Sequence, residues 1–197
     1  MAGRPRKFDI DTAYNAALQL FWAQGYEATS LDQLVSTMGL SKSSFYQTFE
    51  SKNVLFQNCL LHYGKLSVTE ASKGLMEAGS PIEFIYNVLI QNAEEARNPG
   101  AKKGCFMMNT VVEFAQRDLK ISKIVTAHLK AMKKVFTQAI SSAQAHGDIS
   151  KEANPMELAD YLITTIIGLK TQVKSGSSSS KIQKIAKITI SSLKSAA

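Results

Sequence analysis

Apolar residues recur at three- and four-residue intervals along most of this chain, and no segment shows the strict alternation of a half-buried strand. The pattern predicts an all-α fold of nine helices. Asp9 or Asp11 caps the first, which runs to about Gln24 with Ala13, Ala17, Leu20 and Phe21 on one face and stops at Gly25. Ser30 caps a short second helix, and Gln33 stands where a capping box wants it. Leu31, Leu34, Val35 and Met38 form its apolar face, and Gly39 supplies the left-handed residue that ends it. Ser41 caps a third short helix, Lys42 to Phe49. A long fourth follows from Ser51 to about Gly74, with Leu55, Phe56, Cys59, Leu60, Tyr63 and Leu66 at helical spacing. Ser80-Pro81-Ile82-Glu83 combines a cap, an N1 proline and an N3 acid, and opens a helix to about Arg97. After a loop from Asn98 to Gly104 come helices from about Cys105 to Gln116 and from about Leu119 to Ala145. The second of these carries an unbroken apolar stripe from Ile121 to Ala143. Asn154-Pro155-Met156-Glu157 repeats the start signal for a helix to about Val173, and beyond the loop Ser175 to Ser180 a last helix spans about Lys181 to Leu193.

The third helix is unlike the rest. Phe45 and Phe49 are four apart and share one side, which leaves Lys42, Ser43, Ser44, Tyr46 and Gln47 on the other. Hydroxyls, one amide and one cation make poor core, but they can bond phosphates and base edges in a major groove. The stretch GLSKSSFYQTFESKNVLF resembles the helix-turn-helix signature of the TetR family of bacterial repressors, roughly Gly-aliphatic-Ser-Lys-small-small-apolar-Tyr-x-x-Phe-x-x-Lys. Nine helices is also the number expected of a TetR-like chain. The resemblance implies a DNA-binding unit over residues 1–52 and an effector-binding and dimerisation domain over 53–197. Matched position by position, Thr29, Ser30, Lys42, Ser44, Tyr46 and Lys52 would contact phosphates, while Ser43, Tyr46 and Gln47 would reach base edges. Arg4 and Arg6, in the basic arm Arg4-Pro5-Arg6-Lys7, would lie along or in the minor groove. One position departs from the pattern. Many relatives place an arginine or similar donor two residues after the Ser30 position, and here it is Asp32, which could read a base only by accepting from a cytosine amino group.

Composition narrows the class. The chain has 197 residues, 45% of them hydrophobic, enough for a sizeable core. No apolar run approaches the roughly 18 residues of a membrane span, and MAGRPRKFD has no apolar signal-peptide core, so a soluble, cytoplasmic protein without a membrane partner is expected. Two cysteines, Cys59 and Cys105, fit a reducing compartment better than a disulfide framework. The net charge of +7 is unevenly spread: residues 1–52 hold five basic against five acidic side chains, and residues 101–197 hold fifteen against six. The excess therefore lies far from the reading helix and is taken as solubilising charge.

Catalytic chemistry is not evident. His62, His128 and His146 are isolated, without metal-ligand spacing, and neither a phosphate-cradling loop nor a nucleophile elbow occurs, so no enzyme activity, metal or cofactor is expected. Cys105 follows Gly104 at a helix start, where free amides, the helix dipole, Lys102 and Lys103 would favour a thiolate. A small apolar side chain packed at a helix start is the plainer account of the same residue. The segment KGCFMMNTVVEFAQRD resembles a subgroup of TetR-like regulators with Gly-Cys-apolar at this place, among them the repressor of the N-ethylmaleimide reductase operon. By that resemblance Cys105 and a lysine on the penultimate helix, here Lys174, form a candidate electrophile or redox sensor. Cys59 lies within an apolar stripe and reads as inert core.

The family also implies a ligand pocket. Phe56, Leu60, Tyr63, Tyr86, Met107, Met108, Phe114 and Tyr161 are candidates to line it, although the same residues would serve as solid core. Near the C-terminus, Leu162, Ile163, Ile166, Ile167 and Leu169 surround Gly168, and Ile182, Ile185 and Ile188 follow across the loop. A helix apolar on more than one side needs covering on more than one side. In TetR-like proteins the corresponding pair forms a four-helix interface with its symmetry mate, so Ile163, Ile166, Ile167, Gly168, Ile182 and Ile185 are expected in a homodimer contact. A two-fold dimer reads two half-sites about 34–36 Å apart, or a multiple of that. The expectation is a homodimeric repressor on palindromic double-stranded DNA, released by a small-molecule or reactive effector. The alternatives are a redox- or ligand-sensing helical protein whose main role is not operator binding, and a small all-α enzyme.

Overall fold

The computed structural model describes residues 9–98, 100, 102–114 and 117–196, which form nine α-helices and no strand. They are α1 (Ile10–Gln24), α2 (Leu31–Met38), α3 (Lys42–Phe49), α4 (Lys52–Glu77), α5 (Pro81–Arg97), α6 (Phe106–Phe114), α7 (Leu119–His146), α8 (Pro155–Lys174) and α9 (Ser179–Ser195). Side-chain caps fix the starts. Asp9, Ser30, Ser41, Ser51, Ser80, Asp118, Asn154 and Ser178 each accept from an amide of the following turn, and the Ser30–Gln33 capping box is closed in both directions.

Two boundaries differ from the sequence pattern. The fourth helix continues through Gly74 to Glu77, with Gly74 facing the Phe84 ring rather than ending the helix. The serine run is half helix, since Ser178 rather than Ser180 caps α9. The α3–α4 junction is also tighter than sequence suggests. Glu50 has φ 61° and ψ −53°, and the Ser51 amide donates back to the Phe49 carbonyl at 2.6 Å, which makes a strained γ-turn on a residue with a side chain.

The helices enclose two cores. In the first, α1–α3 cover the start of α4 through Ala17, Leu18, Phe21, Leu34, Phe45 and Phe49, while Phe106, Met107, Phe114, Ile121 and Val125 close it from α6 and α7. Phe56 is its hub, with ring centroids 5.0 Å from Phe21 and Tyr26, 5.7 Å from Phe106 and 5.4 Å from Phe114. This core runs continuously across residue 52. The second core joins α5, α7, α8 and α9, with Phe84, Ile85, Leu89, Phe136, Ile140, Leu162, Leu169, Ile182 and Leu193 buried. No helix among the described residues is long and apolar enough to cross a membrane.

Candidate nucleic-acid interface and cavity

The reading unit is assembled around two turns. Between α1 and α2, Gly25 has φ +89°, and the Thr29 hydroxyl donates to the Gly25 carbonyl at 2.6 Å. Thr29 is 0% exposed, which corrects its assignment to phosphate: its one hydroxyl proton is used inside the turn. Ser30 stays exposed; its oxygen accepts from the Gln33 amide at 3.1 Å while its proton remains free to donate. Between α2 and α3, Gly39 takes the left-handed conformation and Ser41 caps α3. Phe45 and Phe49 are then buried, which turns Lys42, Ser43, Tyr46 and Gln47 outward and leaves Ser44 half-exposed. The Tyr46 and Phe45 rings meet edge to face, with centroids 5.5 Å apart, and Tyr46 remains 53% exposed.

Two charges on this face have partners. The Lys42 ammonium lies 2.6 Å from the Asp32 carboxylate, which raises the lysine's pKa, and both side chains are exposed. Asp32 is thereby explained as a partner of Lys42. Lys52, at the start of α4, holds its ammonium 4.2 Å from the centre of the Tyr26 ring. Arg4 and Arg6 lie outside the described residues.

The unit is tied to the rest of the chain at three points. Glu113 on α6 accepts from the backbone amides of Tyr26 at 2.8 Å and Glu27 at 2.5 Å, so one carboxylate holds the α1–α2 turn. The Trp22 indole donates to the Gly104 carbonyl at 3.1 Å, and Lys103 donates to the Gln19 side chain at 2.6 Å. Gly104 has φ +73° and carries the Lys174 stem against it; a Cβ there would lie 3.1 Å from Lys174 Cδ. The Lys174 ammonium donates to Asn109 at 2.9 Å.

A cavity of about 1020 Å³ opens among α4, α5, α7 and α8, with Trp22 of α1 and Cys105 also in its lining. Of the eight residues assigned to a ligand pocket, only Tyr63 lines it. Phe56, Leu60, Met107 and Phe114 are buried in the first core and Met108 packs against it, whereas Tyr86 and Tyr161 are on the surface. Leu60 borders only a smaller pocket of about 280 Å³. The reason is packing: the stacked rings fill the space beside the DNA unit. Space is left further along α4, where Ser67, Ala71, Gly74 and Ala78 are small. Ile163, Ile166 and Ile167, expected in the dimer contact, are half-buried and border this cavity. Lys170 follows on the same stripe and donates to both Glu95 oxygens, at 2.9 and 3.0 Å, with both residues three-quarters buried. A lysine seven residues after an inward isoleucine was the available sequence signal for that pair. Burial, and then the neighbouring Cys105, pushes the Tyr63 hydroxyl up, so it remains a donor. Burial holds the His128 imidazole below its usual range. Cys59 differs sharply from Cys105: it is fully buried and its thiol is pushed up to about 12.

The family model described as "Bacterial regulatory proteins, tetR family" matches residues 13–59, and the one described as "Tetracyclin repressor-like, C-terminal domain" matches residues 84–188, more than half of the chain. The chain belongs to the TetR family. It is similar to the HTH-type transcriptional repressor ComR of Escherichia coli (strain K12), 29% identical over 191 residues that cover 95% of this chain and 90% of that protein. It is similar in structure to the TetR family transcriptional regulator CifR, solved as a cysteine mutant on a 26-bp double-strand operator DNA. That match has a TM-score of 0.85 and 25% identity, and covers 97% of this chain and 100% of that one. The reduced form of E. coli NemR shares the fold, with a TM-score of 0.80 and 17% identity over 93% of this chain and 94% of that one.

In this TetR-family chain the outer face of α8 and α9 also differs from expectation. Ile182 is 0% exposed within the second core, which corrects it as a contact for a partner, while Ile185 is half-buried against that core. Gly168 does face outward with open space beyond it. Met156, Tyr161 and Ile188, 54%, 42% and 63% exposed, are the exposed large apolar groups among the described residues of these two helices.

Proposed function

We propose that this TetR-family regulator is a homodimeric, sequence-specific repressor that an effector in the cavity releases from its operator. The observation that carries this reading is the outward face of α3. Two buried phenylalanines anchor a capped helix whose exposed side is Lys42, Ser43, Tyr46 and Gln47. ComR is a repressor, and CifR was solved on operator DNA, which supports the same role here. In this reading Ser30, Lys42, Ser44, Tyr46 and Lys52 grip phosphates, Ser43, Tyr46 and Gln47 read bases, and residues 1–52 serve residues 53–197 as the reading head. Dimerisation through the Tyr161, Gly168 and Ile188 face would double the contacts, since one α3 meets too few base pairs for useful specificity. The test is a pair of single substitutions. Gln47→Ala should cost about 1–3 kcal/mol on operator and relax sequence preference. Lys52→Ala should weaken all DNA alike and lower the salt slope by about one. Equal loss of preference from both would contradict the assignment of roles.

A second reading of the effector has its own observation. Cys105 is partly exposed and lines the cavity beside Tyr63, with the Lys174 stem packed on the adjacent Gly104. An electrophile entering the cavity would alkylate Cys105 at the point where Gly104 holds Trp22 of α1, and so disturb the reading head directly. Cys105→Ser should abolish electrophile-driven release while leaving operator affinity unchanged.

A further inference from the structure

The fifteen basic side chains of residues 101–197 are not spread evenly over the surface. Helix α7 carries five of them, all lysines, and has no Asp or Glu in its 28 residues. Lys133 is paired with Asp160 of α8. Lys123, Lys130 and Lys134 are exposed and form no ion pair among the described residues. They fall in line with Ala127 at steps of three and four residues, so all four share one outward face. Beside that face α7 and α4 leave a groove of about 280 Å³. Its floor is Leu61, Gly64 and Val68 of α4 and Ile124, Ala127 and Ala131 of α7. Lys65 also lines it, and its lining residues include no carboxylate. Gly64, Ala127 and Ala131 are small, which is why two packed helices leave room there. The groove and the large cavity share only His128 among their lining residues.

We propose that this groove is a second ligand site, for a single-chain lipophilic anion of the fatty-acid class. The tail lies along the apolar floor, and the carboxylate lies among Lys65, Lys123 and Lys130. Burying an alkyl chain removes apolar surface of both partners from water, and lysines flanking a low-dielectric trough concentrate anions there. A neutral lipid would leave the lysines unused, and an alkylammonium would be repelled. A DNA duplex would gain nothing from the apolar floor. A partner protein would need more apolar contact than this face offers. Helical spacing puts Leu61 and Met76 on the groove side of α4, both exposed, but they lie roughly 22 Å apart along the helix. At about 280 Å³ the groove is just below the usual range for small-molecule sites, which suits one slim chain rather than a fused-ring ligand.

The test uses the full-length protein and dansyl-undecanoate, a fluorescent fatty acid whose emission rises on binding. Laurate, dodecanol and dodecylammonium, each below its micelle concentration, then compete for the site. Laurate is expected to displace the probe at about tenfold or more lower concentration than either of the others, with the preference shrinking as salt rises. The triple variant Lys65→Gln/Lys123→Gln/Lys130→Gln should weaken laurate about tenfold and leave dodecanol unchanged. In amide NMR spectra, laurate should shift Gly64, Ala127 and Ala131 and spare Ala71, Gly74 and Ala78 of the cavity wall. Shifts confined to the cavity wall, dodecanol competing as well as laurate, or a triple variant indistinguishable from the parent would each overturn the proposal. So would a probe that stays dark, or binding only to phosphatidylglycerol vesicles, which would make the lysines a membrane-facing surface. Each of these outcomes leaves the effector reading of the large cavity standing.

Discussion

Asp32 shows how one residue can depart from a family pattern and still belong to the site. Its carboxylate holds Lys42, the first residue of the reading helix, in an exposed pair at 2.6 Å. On DNA that lysine must choose between Asp32 and a phosphate. Asp32→Asn is therefore expected to raise affinity for DNA of any sequence and to steepen the log–log salt slope by about one, as Lys42 becomes free to displace a counterion. An unchanged slope would place Lys42 away from the backbone. The two cysteines diverge just as clearly. Cys59 is fully enclosed with its thiol pushed up to about 12, while Cys105 is partly exposed. Native protein at pH 7.5 should take up one equivalent of N-ethylmaleimide, all at Cys105, and a second only after denaturation. Labelling of both sites in the folded state would contradict the packing. At this scale the sequence announced Phe45, Phe49, the caps and the inert Cys59, since each follows from local spacing. It misassigned Thr29 because a hydroxyl looks alike whether it faces water or a carbonyl four residues back.

Among the elements, α6 matters out of proportion to its nine residues. Glu113 alone accepts both amides of the α1–α2 turn, and Gly25 brings the chain close enough for it to do so. No sequence pattern links positions 25 and 113, so this contact was illegible before the helices were packed. Glu113→Ala leaves two amide donors without their acceptor. Hydrogen exchange at Tyr26 and Glu27 should then accelerate by about ten- to a hundredfold, with weaker operator binding, since charge-assisted bonds are worth about 1.5–3 kcal/mol. Unchanged exchange would show the turn to be held by Thr29 alone. The γ-turn at Glu50 was likewise invisible, because glutamate gives no signal for a positive φ. Most helix starts were legible, because an N-cap is a local chemical event; α9 was the exception, since any of the serines from Ser177 to Ser180 could have capped it.

For the whole molecule, periodicity alone gave the helix count and order, but not which apolar stripe meets which. Ile163, Ile166 and Ile167 line a cavity and Ile182 fills a core, although all four suggested a partner surface from their sequence. A stripe states only that something must cover it. The outward group left on α9 is Ile188, and Ile188→Lys is expected to shift the protein from a two-chain to a one-chain species in sedimentation velocity without loss of helicity. A dimer that persists would move the interface elsewhere. The first core, with Phe56 at its hub, couples the reading head to α6 and to Trp22 in the cavity lining. Movement at one end has a packed path to the other. All of this presumes that the reading head reads. The most direct test is fluorescence anisotropy of the full chain on duplex from its own upstream region and on a scrambled duplex, across a salt series. The account predicts preference for the upstream duplex by about a thousandfold or more and a log–log salt slope of several units. Equal binding to the two duplexes at every salt concentration would contradict it.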